Sequence, residues 1–394
     1  MLNIHTVVVG GGAAGIVAAI SSKRKGFPTL ICEKMPVLGK KILASGNGRC
    51  NLLNEDIREL FYNSSAQALT RSVFAKYGKE KMRTFFKEMG LETYSEEGRI
   101  FPVTNQSSTV LKILEMELNR LAIPVEYNFS ADAISYEKGK FLVRQKQGKT
   151  IQCEKVVIAG GGKSYPALGS DGSCYELAEK LGHGIIKPVP AAVPLDIKDR
   201  LCHLLQGQRI QAKIRAIADG NILSEAIGDL LFTKYGLSGT AVIDASEAVS
   251  IAVNRDNKKN VCISVDMVPF VETGALENRI RERTKKGIGV EDLMVGILPN
   301  KFGRALKEEM GSRSPEEMAK LLKNRMFKVL GTRGWNEAEF TSGGVDLKQV
   351  NEATLESRLV KGLYFAGEVL DVCGSRGGYN LAWAWASGFV AGGL

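Results

Sequence analysis

Residues 6–33, TVVVGGGAAGIVAAISSKRKGFPTLICE, constrain the fold of this chain more than any other stretch. Val7 to Val9 form a β-branched apolar run, three glycines follow, Ala13 to Ile20 carries a small-residue helix pattern, and a second apolar run ends at Glu33. The order is strand, turn, helix, strand. Gly10, Gly12 and Gly15 stand in G-x-G-x-x-G register, which provides a tight turn, close approach of a pyrophosphate to the backbone, and close helix–strand packing. Free N–H groups at the helix start, where Ala13 and Ala14 stand, and the positive end of the helix dipole then face the phosphates. Glu33, about 20 residues on, is placed to accept hydrogen bonds from an adenosine ribose. The motif begins six residues from Met1, so a cleaved leader is not expected.

A chain of 394 residues suffices for two or three domains. With 44% hydrophobic and 24% charged residues it reads as an ordinary soluble globular protein. No apolar run approaches the roughly 20 residues that span a bilayer, and no signal-peptide pattern is present, which points to a cytoplasmic enzyme. Seven scattered cysteines, never spaced C-x-x-C, argue against a disulfide framework, a zinc ribbon and a dithiol centre. Three dispersed histidines argue against a metal site. The net charge of +10 suits anionic ligands such as FAD, NAD(P)H or an acidic substrate and also permits RNA binding. The basic residues are spread without an aromatic-interleaved block, so a solvated surface explains them better than a nucleic-acid face.

Met35 to Asn54, MPVLGKKILASGNGRCNLLN, reads as a loop rather than an interior element. Its Lys40, Lys41, Ser45, Asn47 and Arg49 offer donors to phosphates and flavin edge atoms, with Lys34 and Gly48 beside them, as a second wall of the cofactor site. To be a reactive thiol Cys50 would need a lowered pKa, for which Arg49 is the neighbouring cation; structural packing is the favoured reading. Glu55 to Met89 reads as two helices, Thr93 to Val103 as strands around a turn, and Ser107 to Leu121 as an amphipathic helix. Val125 to Cys153 reads as a meander with turns at Lys138-Gly139 and Gln147-Gly148. Lys155 to Gly162 is a buried strand ending in Gly160 and Gly161, a chain return beside the first nucleotide. The Pro-rich passage 188–194 marks a boundary. Beyond it, short strands at 210–218, 242–243 and 261–265 surround a glycine-broken loop, Leu230 to Thr240, and 271–330 turns Lys/Glu-rich and helical. The expected domains are 1–190 and 339–394 together binding the nucleotide, 191–268 plus 325–338 as a β-domain, and 269–324 as a helical subdomain.

The C-terminal strand Leu363 to Ala366, followed by Gly367-Glu368, is similar to the Gly-Asp/Glu element of two-dinucleotide flavoproteins. Glu368 can hydrogen-bond the ribityl chain there. A helix opening at Gly377-Gly378-Tyr379-Asn380 can direct its positive end at the flavin, where charge develops on reduction.

The segments VVVGGGAAGIVAA, LGKKILASGNGRCNLLN, GGKSYPALGSDG, LLFTKYGLSGTAV, TSGGV and GLYFAGEVLDV…GGYNLAWAWASG run through nearly the whole chain. In them the sequence resembles the BaiN-like (YhiN-like, aminoacetone-oxidase-family) FAD-dependent oxidoreductases. The resemblance implies an α/β fold: a two-dinucleotide-type Rossmann FAD-binding domain from both chain ends, with an inserted mostly-β domain that carries a small helical subdomain. It implies cofactor contacts at Gly10, Gly12, Gly15, Glu33, Lys40, Gly48, Arg49, Gly367, Glu368 and Asn380. Ser375-Arg376 departs from the family's usual small hydroxyl residue, which adds a cation either near the flavin or substrate or facing solvent.

The expected function is FAD-dependent reduction of a small organic substrate, with NADH or NADPH visiting transiently, since a single convincing fingerprint leaves no second nucleotide domain. Hydride passes through flavin N5, so no side-chain nucleophile is needed. Tyr165, Tyr235, Tyr379, Cys50 and Arg376 are the weak candidates for a catalytic role. The alternatives are a flavoprotein acting on RNA, an oxygen-using amine or ketone oxidase, and a flavin binder without turnover.

Overall fold

The structure, a computed structural model, describes residues 4–146 and 148–393. Met1 and Gln147, the latter expected in a turn, lie outside the described residues. The chain divides into two units, one formed by residues up to Pro188 and from Thr341 onward, the other by Val189–Phe340. Each has its own apolar core.

The first unit is built on a five-stranded parallel sheet in the spatial order Leu363–Phe365, Lys155–Ile158, Thr6–Val9, Thr29–Cys32, Val125–Glu126. Its inner strands are near-continuous Val/Ile runs because helices and loops cover both faces, so alternation would have left polar groups buried. From the first strand the chain proceeds outward on one side through Cys32 and Glu126, then crosses to the other side at Lys155. The order therefore reverses between Thr6–Val9 and Lys155–Ile158, and in such sheets ligands bind outside the carboxyl ends of the strands at that reversal.

Helix Ala13–Arg24 lies against helix Tyr379–Gly392. Small residues set this spacing: a Cβ at Gly388 would stand 2.5 Å from the Ala14 carbonyl oxygen, and one at Gly392 would collide with the Ala18 carbonyl. The meander expected after Val125 exists as an antiparallel sheet of Ala133–Glu137, Lys140–Arg144 and Thr150–Cys153, with Lys138 and Gly139 both at positive φ in the first turn. Val125–Glu126 itself joins the parallel sheet instead.

The second unit holds a seven-stranded antiparallel sheet, ordered Arg325–Lys328, Val261–Asp266, Arg209–Ala218, Asn221–Thr233, Gly236–Ser238, Leu195–Asp196, Gly331–Thr332. Helices Thr273–Lys285, Lys301–Met310 and Pro315–Lys323 follow in the Lys/Glu-rich stretch. The last begins at a capping box, Ser314 with Glu317, and has proline at its first position.

Three local expectations are corrected. Val242 and Ile243 are not a strand but part of helix Thr240–Ser250, whose buried positions 241, 242, 245, 246, 249 and 250 follow the helical period; two adjacent β-branched residues carry too little pattern to show it. Leu230 to Thr240 is not a loop: Leu230–Thr233 ends one strand, Lys234-Tyr235 turn, and Gly236–Ser238 returns as its antiparallel partner. Met35 to Asn54 contains helix Lys40–Ala44, entered from Gly39 in the left-handed region at φ 65°.

Candidate active site

Gly10 ends the first strand at φ 107°, a conformation that favours glycine, and a Cβ there would stand 2.6 Å from the Ala159 carbonyl oxygen. That contact brings the turn after the first strand against the turn after Lys155–Ile158, at the sheet's reversal point. A Cβ at Gly15 would collide with the Gly10 carbonyl, so the helix can lie this close to the strand only with glycine there. Gly12 differs: it is the N-cap of the helix, makes no side-chain cap, and faces open space where a Cβ would stand. The helix N-terminus is thus left uncovered by side chains, as an incoming phosphate requires.

Glu33 is buried at the end of its strand and braces the fingerprint. One carboxylate oxygen accepts from the Gly11 amide at 2.6 Å and the other from the Met35 amide at 2.7 Å. Lys34 donates to Asp171 at 2.6 Å and to Ser173 at 3.4 Å. Gly160 packs on Cys174, and the hydroxyl of buried Ser170 would stand 2.9 Å from a Cβ at Gly161. Among the described residues that Ser170 hydroxyl has no hydrogen-bond partner.

The second cluster lies after the Lys155–Ile158 and Leu363–Phe365 strands. Glu368 accepts from Lys41 Nζ at 2.7 Å and the Thr341 amide at 2.8 Å, with Ser164 Oγ and the Gly162 amide each at 3.4 Å. Lys41 also donates to Ser164 Oγ at 2.8 Å. Gly367 stands at φ 77° with its amide on Ser387 Oγ and its carbonyl on the Trp383 indole. Gly378, at φ 100°, opens the C-terminal helix, and the Asn51 side chain, with its amide oriented to satisfy both ends, accepts from the Gly378 amide at 3.0 Å.

The donor set fits a dinucleotide carrying a flavin. An uncapped helix N-terminus with an open glycine suits a pyrophosphate, a buried carboxylate suits ribose hydroxyls, and an unpartnered buried hydroxyl beside Gly161 awaits a polar ligand atom.

The model of the HI0933-like protein Rossmann domain matches residues 4–394. The chain belongs to the HI0933-like family. A 3-dehydro-bile acid delta(4,6)-reductase of Clostridium scindens is 35% identical over 400 residues, covering 98% of this chain and 97% of that protein. A ribosomal RNA dihydrouridine synthase of Haemophilus influenzae is 29% identical over 404 residues, covering 98% and 97%. In fold, the chain is similar to a 3-ketosteroid delta1-dehydrogenase of Sterolibacterium denitrificans, with a TM-score of 0.51 at 12% identity, covering 100% of this chain and 99% of that one. This HI0933-like chain carries the family's Rossmann domain over nearly its whole length. Among its described residues no helix is long and apolar enough to cross a membrane.

The remaining candidates of this HI0933-like chain fall in varied places. Cys50 is fully buried in a left-handed conformation, φ 58°, and burial pushes its thiol up to about 12, in keeping with the packing role favoured from sequence and without the lowering a reactive thiol would need. Arg49 bonds Glu96 and Tyr94 at 2.7 Å and Asn105 at 2.9 Å, and lies over the Phe101 ring. Ser45 Oγ donates to the Ile42 carbonyl. Gly48 stands at φ 84° in open space. Tyr379 is stacked on Phe61 at 4.6 Å, and burial raises its phenol. Asn380 spans its own loop, accepting from the Gly374 amide and donating to the Gly374 carbonyl. Tyr165 takes φ 53° in the loop after Gly161 and is half-buried, as is Arg376. Tyr235 lies in the second unit, where the Arg333 guanidinium covers its ring at 4.7 Å. Lys41, Ser164 and Thr341 converge on Glu368 although sequence reasoning gave them no joint role; the signal available was only that each lies in a segment carrying the family resemblance.

Proposed function

We propose that this flavoenzyme reduces a carbon–carbon double bond conjugated to a carbonyl in a small organic substrate, using hydride from NADH or NADPH. The observation that carries the reading is the full-length similarity, at 35% identity, to a reductase whose name describes that bond type in a 3-dehydro-bile acid. Dihydrouridine formation, named for relatives at 29% identity, is also reduction of a double bond conjugated to a carbonyl, so both relatives support one reaction class. When bound, FAD would accept a hydride at N5 and return it to the substrate's β-carbon, with a proton added at the α-carbon.

The chain's own residues bind and orient. The amides at Gly12, Ala13 and Ala14 would hold the pyrophosphate, Glu33 the ribose, and Ser170 with Gly160 and Gly161 the stretch between. Glu368 would meet the ribityl chain, and the Gly378 end of the C-terminal helix the flavin ring. With the Cys50 thiol and the Tyr379 phenol both buried and raised, Tyr165 and Arg376 are the candidates left for placing a proton.

Anaerobic titration of the FAD-loaded protein tests the reading. NADH or NADPH bleaches the flavin absorbance, and a 3-oxo-Δ4 steroid then restores it stoichiometrically. Absence of bleaching with either nicotinamide sinks the reductase. Recovery by uridine-containing RNA but by no steroid or other small enone moves the substrate to nucleic acid, and recovery by dioxygen alone makes the protein an oxidase.

A further inference from the structure

We propose that Lys41 is a positioning residue for the flavin end of the cofactor, fixing and neutralising the Glu368 carboxylate. The inference rests on the FAD reading above. Lys41 stands in the short helix Lys40–Ala44, and that helix is tied to the nucleotide fingerprint, because the Gly39 amide at its N-cap donates to the Gly11 carbonyl at 2.9 Å. From there its ammonium reaches Glu368 Oε2 at 2.7 Å and Ser164 Oγ at 2.8 Å.

Ser164 is fully buried, and the amides of Lys163 and Ser164 are both anchored on Thr341 Oγ1, at 2.8 and 3.2 Å. Thr341 closes the cluster by donating its own amide to Glu368 Oε1. One carboxylate therefore gathers four stretches of chain that are far apart in sequence: the helix after the fingerprint, the loop after Gly161, the strand Phe340–Val345, and the turn at Gly367. Lys41 and the Thr341 amide hold one carboxylate oxygen each at 2.7 and 2.8 Å, so its orientation is set before any ligand arrives, while the donors at 3.4 Å leave acceptor capacity on both oxygens.

The electrostatic consequence has a definite sign. Lys41 and Glu368 together are neutral, and both are largely withdrawn from water, with side-chain exposures of 31% and 20%. Without the ammonium, Glu368 would leave an uncompensated negative charge at the flavin end of the cofactor, whose ring gains electron density on reduction. That opposes reduction, so loss of Lys41 favours the oxidised cofactor. A cation held in this way also keeps the carboxylate acting as an acceptor toward cofactor hydroxyls.

The test compares Lys41→Met and Lys41→Arg with the wild type, each loaded with FAD. The readouts are the FAD dissociation constant by absorbance titration, the midpoint potential of the bound flavin, and the melting temperature of the apoprotein. Lys41→Met should bind FAD about tenfold more weakly and shift the preference for oxidised over reduced cofactor about tenfold, which for a two-electron couple is about 30 mV downward. Lys41→Arg should recover most of both, and the apoprotein melts should coincide. Unchanged affinity and potential in Lys41→Met overturn the proposal, as does a lowered apoprotein melt that accounts for the whole effect. Wild-type protein that retains no FAD instead overturns the cofactor reading beneath it.

Discussion

Gly12 and Gly15 lie three residues apart in one motif and answer to different constraints. At Gly15 a methyl group meets the Gly10 backbone carbonyl, which cannot yield. Gly15→Ala should therefore lose stability, by about 2 kcal/mol after allowing for the helix propensity that alanine brings. At Gly12 the backbone is extended, φ −84°, and a methyl meets nothing, so Gly12→Ala should melt like the wild type as apoprotein yet bind FAD at least tenfold more weakly, because the methyl occupies the pyrophosphate's approach. Equal FAD affinities for wild type and Gly12→Ala would remove the pyrophosphate from this helix end. Cys50 gives a second contrast. With its thiol buried and pushed up to about 12, it should resist alkylation by iodoacetamide at pH 8 in the native protein, and Cys50→Ala should reduce flavin with NAD(P)H at a rate within about twofold of wild type. A large rate loss in that variant would restore a chemical role for the thiol. The contact of Gly10 with Ala159 appears only in the fold, whereas the need for glycine at position 15 was legible from sequence because its neighbour, the Gly10 carbonyl, is local. The partners of Arg49 were not, since Tyr94, Glu96 and Asn105 lie about 50 residues on and reach it only through the hairpin Thr93–Pro102.

Among elements, the pairing of the first and last helices carries the clearest stereochemical demand. Both were readable as small-residue helices, but that they face each other follows only from the sheet order, which places their strands around Lys155–Ile158. Gly388→Ala should separate the helix axes at the Ala14 carbonyl, cost about 2 kcal/mol, and weaken FAD binding by displacing the Gly378 end of the C-terminal helix. An alanine variant with wild-type stability and affinity would show that the helices have room to slide. The strand Leu363–Phe365 is buttressed differently. His183 is buried against Phe365, with Nε2 2.8 Å from Ser357 Oγ. That hydroxyl also accepts the Leu359 and Val360 amides. Burial lowers the His183 pKa below its ordinary 6.5. A group depressed on folding binds its proton more readily when unfolded, so its stabilising contribution is complete above about pH 6.5 and is lost as pH falls through the folded value. The melting temperature of wild type should accordingly fall more steeply with acid below about pH 6.5 than that of His183→Gln, and parallel acid limbs would contradict it. The expected strand at 242–243 failed for a reason of scale: the helical period needs three turns to declare itself, and the buried small residues Ala245 and Ser246 hide the stripe.

At the scale of the molecule, the fold class was legible because glycine-rich turns after buried strands stand at both ends of the chain, and both ends do build one unit around one parallel sheet. What sequence does not reveal is how independent the intervening stretch is, since that depends on which apolar residues share a core. The structure divides them cleanly: Val8, Val157 and Phe365 belong to one cluster, and Ile214, Phe232 and Phe327 to another. A ligand that binds native protein alone stabilises what it touches, by about 2.7 kcal/mol at a hundred times its dissociation constant. FAD is proposed to contact residues of the first unit only, so hydrogen exchange limited by unfolding should slow about a hundredfold in strands Thr6–Val9, Lys155–Ile158 and Leu363–Phe365. Exchange in Arg209–Ala218 and Val261–Asp266 should stay as it is without FAD. If those antiparallel strands gain the same protection, the two cores unfold as a single cooperative body, and the insertion is not an autonomous unit carried by the nucleotide-binding domain but part of its folding reaction.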